Sequence, residues 1–340
     1  MYKQQVKPDI FDVAKAAGVS ISTVSRSYNH PNLVKPSTRK KIEKATQKTG
    51  YIRNRAAQIM HGRRSSTIGL VVPTINNAIF AEVIQSFSES LDNYGFTMLI
   101  ASHGFNLKRE YKMVKKFLEH RVDGLAFIGL EHSEATIQLI QQQQVPSLAI
   151  WNFKEEAEFS CVGVDNNEAG RLAAKHLLDL GHREIGLIFP SLIGNDRARD
   201  RMKGVKFELE RLNVTTPKSW QIESPYSLDE AKRAGIKLLT NNEIPSAILC
   251  GNDIIAQGVI YAAKLLGIKI PKDLSIMGIG DFNGSAEIEP SLSTVRIPAM
   301  QIGSLAADYI FKAITEKPSE ILAIRCDLSI IERDSTDSYS

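Results

Sequence analysis

The chain has 340 residues, 43% of them hydrophobic, which is enough for one small and two medium-sized domains that each bury a core. Its formal net charge of +4 is unevenly distributed: the first 64 residues hold 14 Lys and Arg against 3 Asp and Glu, whereas the other 276 hold 28 against 35. So basic a first segment predicts a polyanionic partner. Because no apolar run reaches the roughly 18 to 20 residues of a membrane span and no signal-peptide core follows Lys3 and Lys7, a cytoplasmic protein without membrane contact is expected.

The first predicted elements are two short helices around a glycine, in the segment PDIFDVAKAAGVSISTVSRSYN. A predicted N-cap at Asp9 precedes apolar residues at helical spacing, and Gly18 ends this helix. A second helix begins at Ser20, and its polar stripe consists of Ser22, Ser25, Arg26 and Asn29. Small hydroxyls let a helix approach base edges and one arginine can bond guanine bidentately, so this face favours major-groove reading over an ordinary solvated surface.

A third helix is predicted in KPSTRKKIEKATQKTG, with Pro36 in its first turn and a flank of lysine and arginine. Three helices make residues 1–53, here called the head, a small helix-turn-helix domain. Residues 54–66 are predicted to be a hinge helix and linker. The hinge pattern is too short to be stable alone in water, so it needs a partner chain, DNA or both.

From Thr67 the pattern changes to short apolar runs that alternate with amphipathic helices, as buried parallel strands do. The runs TIGLVVP, FTMLIASH, DGLAFIG and PSLAIWN form a first series, and REIGLIFP, SAILCGN and LSIMGIG form a second. Residues 67–334, here called the body, are therefore predicted to be an α/β fold of two lobes with doubly wound parallel sheets. The N-lobe is expected at about 67–165 and 295–325, the C-lobe at about 166–294 and 326–334, and a polar tail at 335–340.

Ligands of open α/β sheets bind outside the carboxyl ends of the strands, so residues in the loops after each run are the candidate binding residues. The side chains that stand there are Thr74, Phe80, Trp151, Asn152, Arg201, Tyr226, Asn252 and Asp281. Aromatic platforms, amides and charges suit a polyhydroxylated or acidic small molecule. The three aromatic residues could equally be ordinary core positions, and Asp253 either binds ligand or caps the helix that follows it.

Motifs of the main rival class, an enzyme, are missing from the sequence. The run GLVVPTINN lacks the G-x-G-x-x-G of dinucleotide-binding sites, and there is no P-loop, G-x-S-x-G or H-x-x-x-H motif. Surface or packing roles are expected for His103, His120, His176 and His182. Buried free thiols are expected for Cys161, Cys250 and Cys326, which are odd in number and far apart. No enzyme activity, cofactor or metal site is therefore predicted.

Three blocks of the sequence, DVAKAAGVSISTVSRSYN, TRKKIEKATQKTGYIRNRAAQIM and TIGLVVPTINNAIFAEV, resemble the LacI/GalR family of bacterial transcription regulators. The resemblance extends over nearly the whole chain. It implies that the second helix reads an operator, with Ile21, Ser22 and Arg26 at base edges and Thr23, Ser25 and Asn29 nearer the phosphates. It also implies hinge contacts to DNA from Asn54, Arg55, Ala57 and Met60, the last as a minor-groove wedge where relatives usually have Leu.

For the body, the resemblance implies a fold like periplasmic sugar-binding proteins with a ligand in the cleft between the lobes. It further implies a homodimer on a pseudo-palindromic operator, and the segment ERDSTDSYS carries none of the leucine heptads that tetramerise some relatives. The expected function is a regulator, acting as a repressor, of carbohydrate or sugar-acid utilisation genes.

The expected chemistry of the effector follows from single positions within the resemblance. Arg201, in RARDRMKGV, matches the family's effector-binding arginine, and Asn252, in GNDIIAQG, matches a further effector position. In GIGDF, Gly280 replaces an acidic residue that many relatives have, which favours a negatively charged ligand. This segment, with NNAIFAEV and HGF, resembles the gluconate-utilisation repressors of the family. A sugar acid such as gluconate is the expected effector, and a neutral sugar or a purine is the alternative. The alternative to an effector-controlled regulator is a non-specific DNA binder.

Overall fold

The computed structural model describes residues 7–53, 64–75, 80–316 and 320–339. The chain divides into two compact units, Met1–Ser65 and Ser66–Ser340, which contain the head and the body respectively. The hinge residues with predicted DNA contacts, Asn54, Arg55, Ala57 and Met60, lie outside the described residues.

The head is built from the three predicted helices, which are α1 (Ile10–Ala17), α2 (Ile21–Asn29) and α3 (Pro36–Thr49), with a 3-10 turn (Pro31–Leu33) between the last two. Local chemistry sets both ends of α1, because the Asp9 carboxylate accepts hydrogen bonds from first-turn amides and Gly18 closes the helix in a left-handed conformation (φ +65°). Ser20 caps α2 by accepting from the Thr23 amide. The helices enclose a small core formed by Val13, Ala14, Val24, Ile42 and Ala45.

The body contains twelve strands, eight α-helices and a short 3-10 helix (Lys218–Trp220) among its described residues. The strands are β1 (Thr67–Val72), β2 (Thr97–Ser102), β3 (Gly124–Ile128), β4 (Ser147–Asn152), β5 (Ser160–Val164), β6 (Ile185–Phe189), β7 (Gln221–Glu223), β8 (Ala247–Cys250), β9 (Ser275–Gly280), β10 (Ser293–Arg296), β11 (Ala323–Arg325) and β12 (Ser329–Ile331). The helices are α4 (Ala81–Asn93), α5 (Leu107–Glu119), α6 (Glu134–Gln143), α7 (Asn166–Asp179), α8 (Asp196–Arg211), α9 (Leu228–Leu239), α10 (Asp253–Leu265) and α11 (Ala299–Glu316).

These elements form two six-stranded sheets, one in each lobe. The N-lobe sheet has the order β11-β5-β4-β3-β1-β2 and is entirely parallel. The C-lobe sheet has the order β12-β10-β9-β8-β6-β7 and differs from the prediction at its edge, where β12 is antiparallel to β10. Helices cover both faces of central strands such as β3, in which every residue is buried, and this burial explains why the strands read as continuous apolar runs.

Two helices of the C-lobe pack backbone against backbone, and this contact positions the candidate ligand arginine. A Cβ atom on Gly204 of α8 would overlap the carbonyl oxygen of Asn167, and a Cβ atom on Gly170 of α7 would overlap that of Arg201. Only glycine permits so close an approach of α7 and α8.

The segment 335–340, predicted as a polar tail, is instead part of the C-lobe as far as it is described, so that prediction was wrong. Ser335 is fully buried, its hydroxyl donates to the Ile276 carbonyl (2.6 Å), and the same hydroxyl accepts from the Ser293 amide (2.8 Å). Farther along, the Tyr339 ring stacks on His182 at 5.3 Å. The prediction failed because a polar side chain can be buried at little cost when it pairs with backbone groups of strands.

Two expectations about the body can be compared with the structure directly. The prediction of buried free thiols is confirmed for Cys161, Cys250 and Cys326. Among the described residues, none of the helices combines the length and apolar character that a membrane crossing requires.

Three of the four histidines singled out in the sequence are packed inside the body. His103, His176 and His182 are buried, whereas His120 is exposed at the end of α5. Burial lowers the pKa of His103 to about 4, and the positive charge of Arg197 adds to this effect against the opposing attraction of Glu110. His103 is therefore neutral in the folded protein at pH 7.

The buried neutral state of His103 predicts a loss of stability in acid. The His103 side chain takes up a proton near pH 6.5 in the unfolded chain but only near pH 4 in the folded chain. The contribution of His103 to the free energy of unfolding is therefore complete above pH 6.5 and falls as the pH drops towards 4. A loss of about 2 to 3 kcal/mol over this interval is expected from His103. Urea unfolding midpoints against pH should show a flatter slope for His103→Gln than for the parent protein. The exposed control His120→Gln should leave the slope unchanged, and an equal slope in all three proteins would contradict the prediction.

Candidate functional site

The second helix of the head presents the predicted polar stripe outward. Val24 is fully buried against α1 and α3, whereas Ile21, Ser22 and Arg26 are exposed. Thr23, Ser25 and Asn29 are half-buried along the flank of the helix. This division follows from the helical period, because positions that turn Val24 inward leave the stripe on the opposite side. The face therefore offers one arginine and several small polar groups to a groove of DNA.

Hydrogen bonds within the head hold this stripe in place. The Ser20 hydroxyl bonds those of Ser22 and Thr23, each at 2.8 Å, and Asn29 Nδ2 donates to Ser25 Oγ at 3.1 Å. Arg53 donates to Asn29 Oδ1 and stacks over the Tyr28 ring at 5.3 Å. Sequence reasoning did not anticipate that Arg53 supports the end of α2 directly.

A wider basic surface surrounds the stripe. The exposed cationic residues described in the head, in addition to Arg26, are Lys7, Lys15, Lys35, Lys40, Lys41, Lys44 and Lys48. Such a surface attracts phosphate without regard to base sequence. The head thus combines a charged surface suited to phosphate with a small polar stripe of the kind that base reading uses.

In the body, Arg201 is the most fully buried of the predicted ligand-binding charges. It lies on α8 with 1% of its surface exposed, and its guanidinium donates from Nε to Asn166 Oδ1 and from Nη1 to the Gly251 carbonyl, both at 2.9 Å. Nη2 has no acceptor among the described residues. Burial lowers the pKa of Arg201 to about 10, so the group is still charged at neutral pH.

Two other predicted residues also carry a buried donor without an acceptor among the described residues. Asn252 caps α10 through its Oδ1, which accepts from the Ile255 amide at 3.0 Å, and this leaves its Nδ2 unpartnered. Trp151 Nε1 is likewise buried and unpartnered, and Phe80 meets the indole ring edge to face at 5.6 Å. An unsatisfied buried donor costs roughly 1 to 3 kcal/mol, so three of them favour a ligand rich in acceptors.

The structure links these donors through buried amides. Asn152 Oδ1 accepts from Asn166 Nδ2 at 3.2 Å, and Asn166 in turn orients Arg201. Trp151 and Asn152 are the last two residues of β4, so this end of the N-lobe strand is connected to Arg201 of the C-lobe. Asn166 was not among the predicted ligand residues, although it stands two residues after the end of β5, where the rule about carboxyl ends of strands would have selected it.

The remaining predicted ligand residues have diverse surroundings. Tyr226 is half-buried, its hydroxyl accepts from Asn195 Nδ2 at 3.1 Å, and its ring faces Phe105 at 6.4 Å. Thr74 is half-buried in the segment after β1. Asp281 is committed elsewhere, because its two carboxylate oxygens accept from Arg296 Nε at 2.6 Å and from Arg333 Nη2 at 2.7 Å. A ligand would have to compete with both arginines for Asp281.

Asp253 serves neither of the two roles considered for it. Its Oδ1 accepts from the Thr294 hydroxyl at 2.7 Å, and its Oδ2 accepts from the Phe282 amide at 3.0 Å and the Ser285 hydroxyl at 2.8 Å. The buried carboxylate therefore holds the loop after β9, and Asn252 is the residue that caps α10. Gly280 is the last residue of β9, and a larger residue is excluded there because a Cβ would overlap the Phe282 ring.

Comparisons with known proteins agree with this architecture. A model of bacterial regulatory proteins of the lacI family matches residues 9–54, and a model of a periplasmic binding protein-like domain matches residues 174–336. The HTH-type transcriptional regulator DegA of Bacillus subtilis is 36% identical over 305 residues, which cover 88% of this chain and 89% of that protein.

Two solved structures have the same fold over nearly their whole length. A LacI-family regulator from Silicibacter pomeroyi superimposes with a TM-score of 0.87 at 25% identity, covering 96% of this chain and 99% of that one. The lac repressor dimer bound to operator superimposes with a TM-score of 0.84 at 24% identity, covering 98% and 100%, a likeness that shows the fold alone. With its helix-turn-helix head, two-lobed body and extended identity to DegA, the chain belongs to the LacI family of bacterial transcription regulators.

Proposed function

We propose that the protein is a sequence-specific repressor that binds a pseudo-palindromic operator as a homodimer and responds to a small molecule in the cleft between its lobes. The exposed stripe of α2 on a basic head carries the DNA-binding part of this proposal. The hinge contacts of Asn54, Arg55, Ala57 and Met60 are part of the proposal as an implication of family membership.

Operator reading can be separated from general affinity for DNA by a salt series. Binding is measured on a palindromic duplex selected from random sequence and on a scrambled duplex of the same composition. Non-specific phosphate contacts weaken steeply with salt on both duplexes, whereas base contacts keep a preference for the palindrome. Equal affinity for the two duplexes at every salt concentration would favour the alternative of a non-specific DNA binder.

Arg26 is the residue whose loss tests base reading most directly. Arg26→Ala is expected to weaken specific binding by roughly 1 to 3 kcal/mol and to relax the preference at one base pair in each half-site. Arg26→Lys is the matched control, because it keeps the charge and loses the bidentate fork. We expect the lysine variant to retain scrambled-duplex affinity in a filter-binding assay while losing base preference. Full base preference in both variants would remove Arg26 from the reading face.

The proposed effector is a sugar acid such as gluconate, because the cleft residues supply donors and a positive charge. Trp151 Nε1, Arg201 Nη2 and Asn252 Nδ2 all require an acceptor. No carboxylate is hydrogen-bonded to Arg201 among the described residues, so an anionic ligand group would provide the missing counter-charge. Neutral sugars and purines are the alternatives, since hydroxyl and ring nitrogen atoms also accept hydrogen bonds.

A thermal-shift panel distinguishes these ligand classes. D-gluconate, D-glucose and hypoxanthine are compared at equal concentration, since a ligand at 100 times its Kd stabilises the folded body by about 2.7 kcal/mol. The largest rise of the melting midpoint is expected with gluconate. A rise with glucose or hypoxanthine alone would transfer the proposal to that class and leave the DNA-binding part unaffected.

The proposed dimer is supported by the exposed edge of the N-lobe sheet. β2 pairs only with β1, and its Leu99 and Ile100 are 37% and 41% exposed. An edge strand with apolar side chains is a site for pairing with another chain.

Ile100→Lys is expected to convert the dimer to monomers at micromolar concentration, because it places a charge in the proposed interface. Analytical ultracentrifugation measures the change, and operator affinity should fall with it. Phe207→Lys is the control, since Phe207 is 52% exposed on α8 in the other lobe. A dimer that survives Ile100→Lys would exclude the β2 edge from the interface.

A further inference from the structure

The first turn of α8 is held against the N-lobe by consecutive residues. Asp196 Oδ2 accepts from the Leu130 amide at 2.7 Å and from Asn152 Nδ2 at 2.9 Å. Arg197 Nη1 donates to the Ile128 carbonyl at 3.1 Å. These contacts join the C-lobe helix to the loop after β3 and to the end of β4, both in the N-lobe. Of the residues that make these contacts, Asn152 belongs to the set of ligand residues expected from the sequence, whereas Asp196 and Arg197 do not.

Asp196 is the centre of this contact because donors surround both of its oxygens. Oδ1 accepts from the Arg197 amide at 2.9 Å and from Arg197 Nη1 at 2.8 Å, which leaves Oδ2 to the N-lobe. The carboxylate is only 7% exposed. Burial by itself disfavours the charge, but Arg197 and the amides of Leu130 and Arg197 outweigh it and hold the pKa of Asp196 below its usual value. Asp196 is therefore an anion whose hydrogen bonds to the N-lobe are charge-assisted.

A solvent-exposed ion pair also joins α8 to the N-lobe, but it is weaker by the same reasoning. Arg199 pairs with Glu131 at 2.9 Å, but the two side chains are 37% and 32% exposed. Ion pairs so open to solvent are screened by water and salt, and they contribute little to the free energy that holds two surfaces together. The attachment of α8 to the N-lobe thus depends mainly on the buried contacts of Asp196, together with the bond from Arg197 to the Ile128 carbonyl.

Arg201 lies on the same helix, five residues beyond Asp196, and its side-chain hydrogen bonds within the described part of the chain go to Asn166 and Gly251 of the C-lobe. A movement of α8 relative to the N-lobe therefore changes the distance between Arg201 and Trp151 at the end of β4. We propose that Asp196 is a positioning residue that holds α8 against the N-lobe and so couples lobe closure to the site around Arg201. The coupling to a ligand rests on the proposed function, whereas the attachment itself does not.

Hydrogen exchange of the full-length protein tests the attachment without ligand or DNA. The Leu130 amide is the probe, because its acceptor is Asp196. In Asp196→Asn an amide nitrogen, which donates and cannot accept, replaces one carboxylate oxygen, and the charge is lost. Exchange of the Leu130 amide is therefore expected to accelerate about tenfold. Asp200→Asn is the matched control on the same helix, since Asp200 is 38% exposed and pairs only with Lys203 at 3.0 Å. This control should change exchange by less than about twofold.

Each outcome of the exchange experiment has a definite meaning. Exchange in β8 should be unchanged in every variant, which shows that the C-lobe remains folded. If Leu130 exchanges at the parental rate in Asp196→Asn, the proposed attachment is wrong. If Glu131→Gln accelerates exchange as much as Asp196→Asn does, the exposed pair carries the attachment and the assignment of Asp196 is wrong.

Operator binding provides the functional readout of the same variants. Asp196→Asn should change affinity for the selected palindrome by about threefold or more in the absence of ligand, whereas Asp200→Asn should not. A fast-exchanging Leu130 amide together with parental operator affinity would overturn the coupling. Loss of all palindrome preference in the parent protein would instead contradict the proposed function, so the two failures are distinguishable.

Discussion

Replacing Arg201 with methionine is expected to weaken ligand binding by at least about 100-fold, because a buried charge-assisted contact is lost and no other cation occupies its place. Methionine has a similar length, so the helix that carries it should remain packed. The measurement is titration calorimetry with whichever member of the ligand panel raises the melting midpoint of the parent protein. The large effect follows from burial, since Arg201 is 1% exposed and its interaction with an anion would be screened by little water.

The same variant should keep its affinity for operator in the absence of ligand to within about threefold, since the side-chain hydrogen bonds of Arg201 to described residues are all made to the C-lobe. Lys203→Met, an exposed position on α8, is the control for removal of a positive charge from this helix. Loss of operator binding by Arg201→Met without ligand would contradict the division between a reading head and a sensing body. A retained ligand response would remove Arg201 from the binding site.

Gly204→Ala is expected to destabilise the body by about 3 kcal/mol or more, because the added methyl group would overlap the backbone of α7 rather than a side chain that can move. The helices would have to separate, and Arg201, one turn earlier on α8, would move with them. Urea unfolding followed by circular dichroism measures the loss.

Lys206→Ala on the exposed side of α8 is the control for Gly204→Ala and should change stability by less than about 0.5 kcal/mol. The ligand-induced rise in melting midpoint should also diminish in Gly204→Ala, because the arginine is displaced. Parental stability in this variant would show that the two helices can separate without cost, and the close packing would then have no role in positioning Arg201.

Much of the fold could be predicted from the sequence because its determinants are local. The cap at Asp9, the left-handed Gly18 and the cap at Ser20 define the first two helices within a few residues of one another. Apolar runs of five or six residues predicted the central strands, since a strand buried on both faces needs no polar position. The antiparallel edge strand β12 was not predicted, because a three-residue strand carries too little pattern to show its direction.

The candidate site could be predicted only in part. The rule that ligands meet the carboxyl ends of strands selected Trp151 and Asn252, and the family resemblance selected Arg201. Both approaches identify positions along the chain, and neither identifies hydrogen-bond partners that are distant in sequence. Asp281 was selected for a ligand, yet its carboxylate bonds Arg296 and Arg333.

The sequence by itself determined the helix-turn-helix head, the two-lobed body and the loops that could hold a ligand, because helical period, strand composition and capping act over a few neighbouring residues. Only the tertiary structure decided which polar groups in those loops are already paired. Asp196 reaches Leu130 across 66 positions and Ser335 reaches Ile276 across 59. Such pairs form because burial requires each polar group to find a partner, and which partner is near depends on how the sheets and helices pack.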